Sequence, residues 1–285
     1  MDVKLRPGTP EDAEACGRIC YDAFATLAAA HGAACDFPSP AVATGLVSAL
    51  LAHPGIYGVV AEADGAVVGS NFLNERAAIA GVGPITVDPG VQDGAVGRQL
   101  MVAVMERAAG RDKSGVRLVQ AAYNTRSLAL YVKLGFEVRE TLACLQGPPL
   151  HTGIDSYTIR AATDDDLEAC DQICRAVHGH DRSPQVADAI FLGKAQVVEH
   201  DRRTTGYSTG LSFFDHSVGE RDDDLKALIG AADAFGGPGF LVPMRNTALF
   251  RFCLQHGLQV VQVMTLMTTG RYQEPQGAYL PSIMY

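Results

Sequence analysis

The chain has 285 residues, 47% of them hydrophobic and 19% charged, with 23 Lys plus Arg against 32 Asp plus Glu and a net charge of −9. This length and apolar content build a sizeable core and exclude collagen-like and disordered chains, while the excess of carboxylates argues against a nucleic-acid surface, which needs clustered cations. The longest apolar runs, at 57–61 and 260–267, fall well short of the roughly 20 residues of a spanning helix, residues 1–6 carry no apolar leader, and the seven cysteines lie mostly within apolar helical patterns; the expectation is a cytoplasmic protein with no membrane partner.

In chain order, Leu5-Arg6 reads as a short strand, and Thr9 reads as a helix cap followed by the acidic turn Glu11-Asp12. The helix that follows carries Ala15, Cys16, Ile19 and Cys20 on one face. Two β-branched runs then flank Asp64-Gly65, a strong hairpin signal. A further strand at 82–88 is stopped by Pro89, and a small-residue segment, 90–98, leads into a helix with Val96, Leu100, Met101, Val104, Met105 and Ala108 at helical spacing. Residues 118–124 read as a strand and 127–134 as a helix ended by Gly135.

The opening then returns. Arg160, Thr163, Asp166, Glu168, Ala169, Cys170, Ile173 and Cys174 repeat Arg6, Thr9, Asp12, Glu14, Ala15, Cys16, Ile19 and Cys20 at a constant offset of 154 residues. A second echo pairs Asn124-Thr125 through Gly135 with Asn246-Thr247 through Gly257, at an offset of 122. Two echoes in the same order point to duplication of one domain-sized unit, with Gln146-Gly147-Pro148-Pro149 as the linker. The expected domains are therefore 1–148 and 149–285.

The segment before the Val96 helix suits an anion, because backbone N–H groups at a helix N-terminus are free and the macrodipole adds positive potential there. The dinucleotide fingerprint is absent, since antiparallel strands precede the loop, and no lysine follows its glycines as in a nucleotide-binding P-loop.

The order of elements and two motifs resemble the GNAT superfamily of acyl-CoA-dependent N-acyltransferases. Gln92-Asp93-Gly94-Ala95-Val96-Gly97 fits the family's phosphate loop, Q/R-x-x-G/A-x-G/A. Asn124 through Tyr131 to Gly135-Phe136 fits its second signature, N-x-x-(A/S)-x-x-x-Y-x-x-x-G-F. The resemblance implies an α+β fold of two tandem GNAT-like domains, each a central, mostly antiparallel twisted sheet flanked by helices. It further implies that acetyl-CoA or another acyl-CoA lies in a gap between the strand ending at Val87 and the strand ending near Asn124. Ile85, Thr86 and Val87 would contact the pantetheine, Gln92, Asp93, Gly94, Ala95, Val96, Gly97 and Arg98 would cradle the diphosphate, and Asn124 would hydrogen-bond the cofactor arm. Tyr131 would assist the leaving thiolate and is the expected catalytic residue. The amine acceptor needs a base, for which Glu62, Glu75 and Asp36 all remain open.

The second copy departs from the pattern. Arg221-Asp222-Asp223-Asp224 replaces the glycine loop, and Cys253 stands where the first copy has Tyr131. It reads as a degenerate domain that has lost its own cofactor site, and the apolar tail 277–285 reads as docked on a domain face. Cys170, Cys174 and His178 could formally gather a metal, but Cys16 and Cys20 recur without the histidine, so no metal is expected. Asp164 to Asp166 read as a solvated helix start. The expected activity is N-acetyl transfer to a primary amine of a small molecule or protein by direct attack in a ternary complex, carried by a monomer or homodimer. The alternatives are a catalytically silent acyl-CoA-binding or regulatory protein and an assembly module in which the ligand is only structural.

Overall fold

The computed structural model describes residues 2–91 and 95–285. The first half runs through β1 (Val3–Pro7), α1 (Ala13–Ala30), α2 (Pro40–Ala52), β2 (Ile56–Ala63), β3 (Ala66–Asn74), β4 (Ile79–Val82), β5 (Thr86–Val87), α3 (Val96–Gly110), β6 (Gly115–Ala121), α4 (Thr125–Lys133) and β7 (Glu137–Gln146). The second half continues with β8 (Tyr157–Ala161), α5 (Leu167–His178), α6 (Ser183–Phe191), β9 (Gln196–His200), β10 (Arg203–Ser208), β11 (Ser217–Gly219), α7 (Asp222–Ala231), β12 (Phe240–Pro243), α8 (Thr247–Gln255), β13 (Gln259–Gly270) and β14 (Ala278–Leu280). Among the described residues, no helix is long and apolar enough to cross a membrane.

The duplication is visible in side-chain bonds. Arg6 grips both carboxylate oxygens of Asp12 at 2.7 Å, and Asp12 accepts from the Thr9 amide at 2.9 Å. Arg160 holds Asp166 at 2.7 and 2.8 Å, and the Thr163 amide donates to the same carboxylate at 2.8 Å. Each is a two-point, charge-assisted pair that fastens a strand end to the turn opening the next helix. Asp166 is therefore buried and paired, contrary to its reading as part of a solvated helix start, because Arg160 reaches it from the preceding strand. Cys16, Cys20, Cys170 and Cys174 are fully buried on the inner faces of α1 and α5.

The two halves share strands. One sheet of nine strands has the order β1-β2-β3-β4-β6-β13-β7-β12, with β5 paired to β3 off that path, and a second has the order β14-β11-β10-β9-β8. The long β13, from the second half, lies between β6 and β7 of the first, antiparallel to both: Thr265 faces Gln120 on one side and Thr141 on the other. Beyond β7, β12 adds a further antiparallel strand, with Leu241 opposite Cys144. Met264 and Leu266 of β13 enter one core with Leu142, Cys144 and Leu241, and Met267 enters the core under α3 with Leu100, Val104 and Leu118. Each such apolar side chain contributes about 1.5–3 kcal/mol by leaving water, so β13 binds the halves together through a continuous hydrophobic seam. Both sheets are mostly antiparallel and helix-flanked, as the motifs lead one to expect. The exchange of strands across the repeat is additional, because pairing between distant strands leaves no local mark in sequence.

Candidate active site

The site begins where the sheet of the first half parts. β4 runs parallel to β6, with Ile79 to Gly81 opposite Gly115 to Arg117. After Val82 the chain turns through Gly83–Ile85 and re-enters the sheet as β5, where Thr86 and Val87 pair with Ser70 and Gly69 of β3. Strand 82–88, expected to be continuous, is thus two short strands, and β5 diverges from the upper part of β6. A cavity of about 680 Å³ fills the gap.

Of the residues expected to hold an acyl-CoA, Ile85, Thr86, Val87, Ala95, Gly97, Arg98, Asn124 and Tyr131 line this cavity. Val96 does not: it is fully buried in the core beneath α3, because the first position of this helix turns inward. Gln92, Asp93 and Gly94 lie outside the described residues. Ala95 takes a left-handed conformation, φ 59°, to begin α3, which runs for 15 residues and directs its N-terminus at the cavity; that end carries the positive pole of the helix. A Cβ built on Gly97 would make only ordinary contacts, 3.8 Å to Val87 and 4.0 Å to Leu130, so what glycine leaves open there is space in the cleft itself.

Asn124 caps α4, its side-chain oxygen accepting from the Ser127 amide at 3.1 Å, and so holds the helix that carries Tyr131. Tyr131 is 4% exposed and stands on the cavity wall. Burial pushes its hydroxyl up to about 12, so it stays protonated throughout the neutral range.

The three carboxylates left open by sequence separate cleanly. Glu62 is ion-paired to Arg6 at 2.7 Å, and Glu75 to Arg107 at 2.7 Å; neither lines the cavity, and the Arg107 guanidinium holds Glu75 below the usual carboxylate range. Asp36 does line it. Burial raises the Asp36 carboxyl above its ordinary value, opposed by a hydrogen bond from Gln262 Nε2 at 2.9 Å.

Gln262 belongs to β13, and it is not the only contribution from the second half. Phe213, Phe214, Met264, Ile283 and Met284 all line the cavity, facing Phe24, Leu27, Phe37 and Leu46 of the first half. The tail 281–285 reaches this place by following β14 across the surface of the first half, where it lies on β4: a Cβ on Gly81 would collide with the backbone oxygen of Met284. The apolar tail signalled docking in the sequence; where it docks, and that it forms a cavity wall, did not appear there.

The corresponding gap in the second half is filled. Asn246 caps α8 as Asn124 caps α4, accepting from the Leu249 amide at 3.1 Å, but its Nδ2 donates to Asp222 at 2.7 Å. Cys253, in the place of Tyr131, is fully buried. β14 pairs along β11, and its Ala278 and Leu280 pack with Phe240 and Val242 of β12 in one core, so a strand lies between the elements that part in the first half. Cys170 and Cys174 are core residues, while the His178 ring packs against His180 and Tyr279. Among the described residues no group of three or more His, Cys, Asp or Glu is placed to hold a metal ion.

Comparison with known proteins bears on this geometry. Residues 54–138 match the family model of the Acetyltransferase (GNAT) domain. No curated protein matches the chain. A candidate acetyltransferase from Pyrococcus horikoshii superposes with a TM-score of 0.71 at 17% identity, over 99% of this chain and 92% of that one. A GCN5-related N-acetyltransferase from Sphaerobacter thermophilus gives 0.62 at 15% identity over 95% and 96%. A tandem GNAT protein from the clavulanic acid biosynthesis pathway gives 0.58 at 15% identity over 94% and 98%. At these identities the structural likeness speaks for the fold, and the family match speaks for the domain. The chain has the fold of the tandem GNAT proteins, and its residues 54–138 match the GNAT acetyltransferase domain.

Proposed function

We propose that the protein is an N-acetyltransferase that moves the acetyl group of acetyl-CoA to a primary amine, using a single site in the first half, residues 1–148, with residues 149–285 as a supporting copy that binds no cofactor. The observation that carries this reading is the cavity between β5 and β6, which has the N-terminus of α3 at one side, the buried Tyr131 on its wall and the half-buried Asp36 on another. The acyl-pantetheine arm would lie along Ile85 to Val87. The diphosphate would sit at the start of α3, where Arg98 adds a cation and the loop Gln92 to Gly97 supplies the family's phosphate-binding sequence.

The amine nitrogen attacks the thioester carbonyl carbon, the C–N bond forms, and the C–S bond breaks. An ordinary alkylamine has a pKa near that of lysine, about 10.4, so it arrives mostly as an ammonium ion. Asp36 attracts that ion; the fraction that loses one proton to solvent has the free lone pair that attacks, and Asp36 accepts the second proton as the C–N bond forms and the nitrogen loses its basicity. The leaving thiolate meets Tyr131. With a hydroxyl at about 12 and an ordinary thiol near 8.5, complete proton transfer to sulfur is uphill by several kcal/mol, so Tyr131 serves chiefly as a hydrogen-bond donor to the developing thiolate.

Tyr131→Phe tests this. The expected variant folds and binds acetyl-CoA like the wild type in a calorimetric titration, with one site per chain, and transfers acetyl about 10²–10³ times more slowly. Unchanged transfer would remove Tyr131 from the mechanism. Wild-type binding with no transfer to any amine would favour the silent acyl-CoA-binding alternative.

A further inference from the structure

We infer that the acceptor is an apolar monoamine, a primary amine on an aromatic or long aliphatic skeleton with neither a carboxylate nor a second cation, and that the second half selects it. The inference rests on the acetyltransfer reading above and concerns the same cavity. The cavity is walled in part by Phe24 and Phe37 from the first half and by Phe213, Phe214 and Met264 from the second, and Asp36 is its carboxylate. Arg98 and Arg126, which also line the cavity, lie at the N-terminal ends of α3 and α4.

The carboxylate in the lining is Asp36, and Thr26, His31, Gln120 and Tyr123 are uncharged or titratable polar side chains of the same wall. Asp36 is an acceptor with one donor, Gln262 Nε2, and the other side-chain atom of that amide, Gln262 Oε1, is buried without a hydrogen-bond partner. The Asp36 carboxylate on the cavity wall suits a group that brings several N–H donors, which a protonated primary amine does. Beyond it the walls are aromatic and thioether carbon, which gain from apolar surface and offer nothing to a polar chain. An amino acid would bring a carboxylate next to Asp36, two like charges in a partly dehydrated space, and a polyamine would bury its second ammonium among Phe213, Phe214 and Met264 with no counter-charge. Phe213 is held in the core, 3% exposed, edge-on to Phe214 at 5.9 Å, whereas Phe214 is 41% exposed. Phe214 can therefore be cut back without opening the core.

The test uses the full chain, acetyl-CoA and two matched pairs of acceptors, followed by thiol release. 2-Phenylethylamine and L-phenylalanine differ in a carboxylate; hexylamine and spermidine differ in further cationic nitrogens. The expected kcat/KM is roughly a hundredfold higher for the apolar member of each pair. Phe214→Ala should raise KM for 2-phenylethylamine about fivefold or more while leaving the KM for acetyl-CoA unchanged, and Asp36→Asn should lower kcat/KM for 2-phenylethylamine and abolish the acid limb of its pH profile. Equal or better use of L-phenylalanine or spermidine overturns the inference, as does acetyl-CoA binding with no acetylation of either apolar amine. Absence of acetyl-CoA binding in a separate calorimetric titration identifies failure of the underlying reading instead, and the inference falls with it.

Discussion

Gly97→Glu separates what the cleft does for folding from what it does for binding. Gly97 is the second residue of α3, and a Cβ there points between Val87 and Leu130 at 3.8 and 4.0 Å, ordinary contact distances. The substitution therefore introduces no backbone collision. Replacing glycine within a helix favours folding by about 0.5–1 kcal/mol, and a carboxylate in the first turn adds about 0.3–1 kcal/mol through the helix dipole. Stability should be unchanged or slightly higher. Binding should suffer, because the new carboxylate occupies the space proposed for a diphosphate. Two unit charges about 5 Å apart repel by about 1 kcal/mol in water and about 3 kcal/mol at an effective dielectric of 20, and the diphosphate brings two or more. The expected loss of acetyl-CoA affinity is at least about tenfold and up to several hundredfold. The assay pairs a calorimetric titration with thermal unfolding of the same samples. Wild-type affinity in a folded Gly97→Glu protein would refute the placement of the diphosphate, and loss of folding together with affinity would refute the reading that this glycine clears space for ligand alone.

Two further outcomes are expected. The Arg6 and Arg160 guanidiniums hold the Asp12 and Asp166 carboxyls down at about 2; a carboxylate depressed in the folded state stabilises it above the unfolded pKa near 3.9 and loses that effect as pH falls toward 2, so each pair should contribute about 1–2 kcal/mol at neutral pH after allowance for its partly exposed arginine, and denaturant midpoints should fall across pH 4 to 2, less steeply in an Asp12→Asn, Asp166→Asn double variant. Residues 1–148 produced alone should be insoluble or self-associated, because β6 and β7 lose the strand between them, and co-production of 149–285 should restore a soluble one-to-one complex by size exclusion; a monomeric, folded 1–148 would contradict the weight given to β13.

The sequence was informative wherever a contact is local or a pattern is repeated. The Arg-to-Asp spacing of six in both copies, the caps Asn124 and Asn246, and the helical spacing from Val96 to Ala108 each correspond to a bond or a buried face. It was silent where partners lie far apart. Nothing near Glu75 indicates that Arg107, 32 residues on, will neutralise it, and nothing near Asp36 indicates that Gln262, 226 residues on, will hold it in the cavity wall. β13 alternates like any half-buried strand, so its place between β6 and β7 had no local signature. Val96 fits the loop pattern by spacing yet turns inward because its helix has already begun.

The interposed strand also fixes an order of assembly. On a growing chain β7 is complete at residue 146, but β13 ends at residue 270. At about 5–20 residues per second, the partners wait roughly 6–25 s for the strand that separates them. During that interval Leu142, Cys144 and Val119, destined for one core, lie along unpaired strand edges, the part of a nascent chain most open to wrong pairing. The cavity wall comes later still, since Ile283 and Met284 follow every other element. A chain that ends in the second half would thus lack the last wall of the cavity. The same dependence constrains inheritance: the copy whose own cleft has filled cannot be shed, because its strand and its tail finish the cleft that remains open.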